Sequence, residues 1–264
     1  MQSNQAFTMR FLGVGNASSS LGNASGVLEK AGQPLLLIDC GHDVLPRYER
    51  LYQGLPPALF ITHLHLDHIG GLEGLFFRLR FAPEPKLMPL YVPAALLPNL
   101  QKRIADYPGI LAEGGANFWD VFQLIPVSDG FWHQGIHFKV FPTRHHLPNS
   151  SFGLSLPGVF LYTGDTRPIP EQIIAHASTG EVIFHDCGLE SNPSHTGVAD
   201  LAREYSDEQR QRMVLYHYAD AEQGSALELQ GYRIAHEGEA FKLTGSLSSE
   251  PSPPRSSVTQ LKTV

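Results

Sequence analysis

Short apolar blocks recur along this chain, and their lengths and spacing predict strands with helices set between them. Residues 7–15 alternate in part and run into Gly13-Val14-Gly15, which predicts a strand entering a loop. A second strand is expected over 25–29, a turn at Gly32-Gln33, and a third strand over 35–39. Further apolar or alternating runs fall at 58–61, 90–92, 136–141, 152–156, 159–162, 182–184 and 212–216. Helices are expected over 43–52, 72–81, 94–107 with Pro98 as a kink or restart, 170–176 and 197–205. The glycines between 108 and 117 predict a loop, 226–229 a short apolar piece, and 232–243 a terminal strand pair. From residue 246 onward the chain is rich in Ser and Pro, which predicts a mobile tail. The pattern divides into a single domain, 1–245, and a C-terminal tail, 246–264; the length suffices for one sizeable core.

The polar residues cluster where the strands should end. The run 58–61 leads into Thr62-His63-Leu64-His65-Leu66-Asp67-His68-Ile69-Gly70-Gly71. His63 and His65 would share one face of an extended chain. Leu64 and Leu66 would alternate with them and hold the turn against the core. Asp67 and His68 follow once the chain has turned, and would reach a second position nearby. Gly70-Gly71 allows a tight bend before the helix near Leu72. Burying four such groups unpaired would cost several kcal/mol; imidazole and carboxylate together suit zinc, and also manganese or iron. Other apolar strands end in the same manner, at His145, Asp165, His185-Asp186 and His217. Strand ends on one sheet edge collect into one cleft. Asp39, closing the third strand, would either hydrogen-bond a ligand histidine or cap the helix that follows.

Composition narrows the partners. Lys plus Arg is 19 and Asp plus Glu is 26, a formal charge of -7, which disfavours non-specific binding to RNA or DNA. Two cysteines, Cys40 and Cys187, do not make a disulfide scaffold and suit a reducing compartment. No leader and no bilayer-spanning run is visible, so the expectation is a cytoplasmic protein without a membrane partner. The aromatic stretch from Phe118 to Trp132 would belong to the core, cover the site, or form a contact in a homodimer.

The motif at 63–68 resembles the His-x-His-x-Asp-His signature of the metallo-beta-lactamase superfamily, and the resemblance covers roughly residues 8 to 243. It implies an α/β fold, the four-layer αββα sandwich, with two divalent metal ions at one edge of the sheets. Carried over residue by residue, it implies one metal on His63, His65 and His145, and a second on Asp67, His68 and His217, with Asp165 in Thr163-Gly164-Asp165-Thr166 bridging both. Zn2+ is the first choice and Mn2+ the main rival. The form Val140-Phe141-Pro142-Thr143-Arg144-His145 resembles the phosphodiesterase branch and favours His145 over its neighbour His146, which would face substrate or solvent. His195, in Ser194-His195-Thr196-Gly197, resembles a histidine of the ribonuclease Z-like and cyclic-nucleotide phosphodiesterase branches that contacts phosphate and protonates the leaving group. Asp186 would support it, or a metal ligand, from behind, and Asp67 would also orient the attacking oxygen.

The resemblance implies hydrolysis of a phosphodiester by a metal-activated hydroxide. A small cyclic nucleotide is the preferred substrate, with no stable nucleic-acid partner. Transfer RNA 3'-end processing is the alternative, but His185-Asp186-Cys187-Gly188 departs from the His-Glu-Ala-Thr motif of ribonuclease Z, and no long basic arm is visible. Lactonase or other ester hydrolysis, and a metal-binding regulator without catalysis, complete the alternatives.

Overall fold

The computed structural model describes residues 6–84, 86–105, 109–111, 114–178, 180–245 and 247. The strands are β1 (Phe7–Gly13), β2 (Ser25–Lys30), β3 (Gln33–Ile38), β4 (Leu59–Phe60), β5 (Met88–Pro93), β6 (Gly109–Leu111), β7 (Gly114–Ala116), β8 (Phe122–Val127), β9 (Gly130–His133), β10 (Ile136–Pro142), β11 (Phe152–Leu156), β12 (Phe160–Tyr162), β13 (Val182–Asp186), β14 (Met213–Tyr216) and β15 (Ala240–Leu243). The helices are α1 (Val44–Tyr52), α2 (Leu66–Ile69), α3 (Leu72–Arg80), α4 (Leu97–Leu100), α5 (Pro170–His176), α6 (Val198–Glu204), α7 (Asp207–Gln211) and α8 (Ala221–Leu229).

Two mixed sheets form. One runs β15-β1-β2-β3-β4-β5-β8, the other β14-β13-β12-β11-β10-β9, and β6 and β7 pair as a separate hairpin. Strands β3, β4, β5 and β8 are parallel neighbours, as are β12, β13 and β14. Parallel neighbours need crossovers; helices α1, α3, α5 and the pair α6 and α7 lie in those connections. The inner faces meet through aromatic rings: Phe11 of β1 lies 5.4 Å from Phe184 and 5.5 Å from Tyr216. The result is the αββα sandwich of the metallo-beta-lactamase fold. Buried His133 on β9 is a further tie between the sheets, its Nε2 donating to the Leu35 carbonyl at 3.1 Å while Nδ1 accepts from the Tyr91 hydroxyl at 3.0 Å. Burial pushes its pKa down and keeps it neutral.

The structure departs from the sequence pattern in several places. Leu66 is 53% exposed, because α2 begins there and the period changes from two to 3.6; the same turn buries Asp67, His68 and Ile69. The stretch from 94 is not one α-helix but a 3-10 turn (Ala94–Leu96), α4 and a π-helical turn (Gln101–Ala105) in series, with 106 and 107 outside the described residues. Within the expected loop 108–117 lies the β6–β7 hairpin. The piece at 226–229 is the end of α8, and of 232–243 only β15 is a strand. The aromatic stretch is largely core: Phe118 stacks with Phe76, and Phe131 lies 4.0 Å from Tyr91. The Ser/Pro-rich tail lies outside the described residues, apart from Leu247.

Candidate metal centre

The first sheet delivers five side chains. Strand β3 ends into Asp39, which is fully buried with φ of 61°, a conformation disfavoured for any residue but glycine. Three bonds hold it there: Oδ1 accepts from the Thr62 amide at 2.8 Å, and Oδ2 accepts from the Thr62 hydroxyl at 2.7 Å and from His68 Nδ1 at 2.8 Å. Asp39 therefore fixes the end of β4 and the ring of His68 together. The α2 turn carrying Asp67 and His68 packs directly on Gly41, where an added Cβ would lie 2.1 Å from the Asp67 carbonyl oxygen. His63 and His65, on either side of Leu64, place their rings 4.6 Å apart.

The second sheet delivers the rest. Strand β10 runs parallel to β12, since both pair antiparallel with β11, so the residues after β10, β12, β13 and β14 emerge at one edge. His145, Asp165, Asp186 and His217 come from these ends. Gly164 turns the chain into Asp165 at φ of 63°, with Phe152 O only 2.8 Å from where a Cβ would stand. His217 sits at φ of 74°, its amide donating to the carbonyl of Val14, directly after β1 of the first sheet.

These residues meet in two sets that share one carboxylate. His63, His65, His145 and Asp165 form the first, and Asp67, His68, Asp165 and His217 the second, with one ligand atom from each residue lying within 4.8 Å of the others. Asp165 Oδ2 is 3.5 Å from His63 Nε2, 3.3 Å from His68 Nε2, 3.8 Å from His145 Nε2 and 3.3 Å from His217 Nε2. Four of the imidazoles turn Nδ1 outward to a protein partner: Thr62 for His63, Asp39 for His68, the Ser194 carbonyl for His145, and Asp186 at 3.3 Å for His217. That arrangement selects the tautomer and leaves Nε2 facing inward. The Nε2 atoms of His63, His68 and His217 and both Asp165 oxygens are buried without a hydrogen-bond partner. Unpartnered polar atoms converging in this number are costly unless an ion satisfies them. The residues fit two divalent cations of the zinc or manganese type.

The charges are consistent with this. Burial would raise the Asp165 pKa, but His217, His68 and His63 hold its carboxyl well below the ordinary range. Burial would lower His217, yet Asp165 and Asp186 push it up to about 10; burial alone dominates at His145, which falls to about 4. In the metal-free protein His217 is thus protonated at neutral pH, and its raised pKa stabilises the fold below about 6.5. That contribution is lost as pH rises through about 10. A metal takes only the neutral imidazole. Loading at pH 7.5 is therefore expected to release about one to two protons per chain, from His217 and from His68, whose pKa Asp165 and Asp39 also raise. Titration calorimetry in buffers of different ionisation enthalpy reads that number directly; loading without proton release would contradict the charge state.

A third set adjoins the centre. Asp186 is fully buried and reaches His217 on one side, while on the other it accepts from His195 Nδ1 at 2.8 Å. The His195 ring lies 4.6 Å from His145 and 4.9 Å from His217 and lines a pocket of about 170 Å³. His146 faces the opposite side, with Nε2 3.1 Å from His65 Nε2 and Nδ1 3.1 Å from Ser194 Oγ. There His63, His65 and His145 floor a wider cleft of about 590 Å³. No residue of the aromatic stretch 118–132 lines either space. Two residues of the site had no signal in the pattern of side chains: Ser194, which acts through its carbonyl, and Thr62, which only follows an apolar run.

Comparison with known proteins agrees with this geometry. The family model described as anti-Pycsar protein Apyc1 matches residues 7–241. An anti-Pycsar protein Apyc1 of Bacillus phage BSP38 is 29% identical over 262 residues, covering 89% of this chain and 98% of its own length. One from Paenibacillus harenae is 32% identical over 225 residues, covering 80% and 90%. Among solved structures, the metallo-beta-lactamase fold protein YhfI from Bacillus subtilis superposes with a TM-score of 0.68 at 15% identity, covering 89% of this chain and 99% of its own.

Proposed function

This chain belongs to the anti-Pycsar protein Apyc1 family, and on that premise we propose that it hydrolyses a small phosphodiester, a cyclic nucleotide, at a dinuclear metal centre. It is a metal-dependent hydrolase of the metallo-beta-lactamase fold. The observation that carries the reading is Asp165, with both oxygens buried and unpartnered among four inward-facing imidazole nitrogens. His63, His65 and His145 would hold one ion, Asp67, His68 and His217 the other, and Asp165 both. When bound, the two ions would neutralise charge on the phosphoryl oxygens and lower the pKa of water. Zinc is the proposed metal, with manganese the rival.

The chain's own groups supply the rest. Asp67, held well below the usual carboxylate range by His217 and His68 against the effect of burial, stays ionised and can orient the attacking oxygen. His195 carries a proton on the side of the smaller pocket and would deliver it to the leaving oxygen. Asp186 holds the His195 ring through Nδ1, so that the other nitrogen is free for that transfer. The substrate enters from the wider cleft, which is of a size for a nucleotide. The buried free thiols of Cys40 and Cys187 support a cytoplasmic setting, and exposed Phe81 and Leu87 supply apolar surface for a homodimer. Among the described residues no helix is long and apolar enough to cross a membrane.

One preparation tests the reading. Elemental analysis should find two metal ions per chain, and the protein should turn over cyclic mononucleotides in preference to precursor transfer RNA or lactones. Trace metal after supply of zinc or manganese, or turnover confined to lactones, would refute it.

A further inference from the structure

The walls of the wider cleft are unlike one another. One is the loop 146–150, which presents Leu147, 75% exposed, and Asn149. The other is the helical run in which α4 passes into the π-helical turn Gln101–Ala105, and from it Asn99, Lys102 and Arg103 line the cleft. A π turn widens the helix and re-aims successive side chains, and such turns recur at functional sites. This one is anchored, because the Trp119 indole donates to Gln101 Oε1 at 3.2 Å. The chain carries a net charge of -7, yet among the described residues no aspartate or glutamate lines this cleft. Lys102 and Arg103 are both exposed, and neither has an ion-pair partner among the described residues. Ammonium and guanidinium groups only donate hydrogen bonds. The metal ligands on the floor already account for the scissile phosphate, so a donor wall beside them is placed for the remainder of the substrate.

We propose that Lys102 and Arg103 are specificity determinants that hold the nucleoside part of the substrate, taking its acceptor atoms on the base or ribose; this rests on the phosphodiesterase reading above. The leaving oxygen then points away, toward His195 and the smaller pocket. A cationic substituent would be repelled by this wall.

The test compares two substrates that share a diester and differ in the nucleoside: a cyclic mononucleotide and bis(4-nitrophenyl) phosphate. In K102A/R103A, kcat/KM for the cyclic nucleotide should fall about tenfold or more, chiefly through KM, as expected for lost hydrogen bonds to charged donors. The loss for the nitrophenyl diester should be several times smaller, and metal content should match the unaltered protein. Arg103→Lys, which keeps the charge, should recover part of the loss. Equal losses on both substrates would mean that the wall acts on the diester charge, and no loss would mean that it does not touch substrate; either overturns the inference. If the unaltered, metal-loaded protein turns over neither diester, the phosphodiesterase reading itself fails and takes this inference with it.

Discussion

Replacing Asp165 with alanine is expected to reduce bound metal from two ions per chain to one or none and to cut kcat/KM by about 10³-fold. The Nε2 atoms of four histidines lie within 3.8 Å of Asp165 Oδ2, so its carboxylate is the shared counter-charge of both sets. Losing one preorganised electrostatic contact to the reacting group typically removes about 3–4 kcal/mol of transition-state stabilisation, and each 1.36 kcal/mol is about a factor of ten in rate. Among the described residues no other carboxylate belongs to both sets, and Asp67 Oδ2 lies 3.5 Å from His68 and 3.7 Å from His217, both in the second. Asp165→Asn keeps the shape and loses the charge, and should fail almost as badly. Metal analysis beside steady-state kinetics decides the matter. A variant that keeps two ions and activity within tenfold of the unaltered protein would show that Asp165 does not bridge.

His195→Ala should behave differently: two metals retained, and kcat reduced about 10²- to 10⁴-fold, the usual contribution of a general acid. Burial pulls the His195 pKa down, but the Asp186 carboxylate at 2.8 Å more than offsets it, and the net direction is up. A raised pKa means that the proton is held to higher pH than on a free imidazole. Activity that depends on it is present at neutral pH and lost as pH rises through the raised value. The alanine variant should lack this basic limb in its residual profile, and Asp186→Asn should move the limb to lower pH. Unchanged turnover in His195→Ala would remove the residue from the mechanism; parallel loss of metal and activity would make it structural.

Much of this site can be read from the chain without coordinates, for a physical reason. A strand buried on both faces is a continuous apolar run, and a polar residue directly after it must lie at a sheet edge. His63, Asp165, Asp186 and His217 lie at the ends of such runs, and His145 follows the alternating strand β10. The features that escape are those in which side-chain identity does not carry the interaction. Ser194 contributes a backbone carbonyl to His145, and the π turn carrying Lys102 and Arg103 is tied to Trp119 through Gln101, whereas the Asp39–His68 hydrogen bond is one of the two roles that the position of Asp39 predicts. Helix α8 buries only Gly224 and Leu227, so it has no apolar stripe to announce it. At Leu66 the strand period has already given way to the helical one, because α2 begins there.

The proposed ligands are divided between the two sheets: His63, His65, Asp67 and His68 follow β4, whereas His145, Asp165 and His217 follow β10, β12 and β14. Neither half offers a complete set, so each bound ion would tie one sheet to the other. Ions held there would cross-link the two sheets, so chelation is expected to lower the melting temperature as well as to abolish turnover.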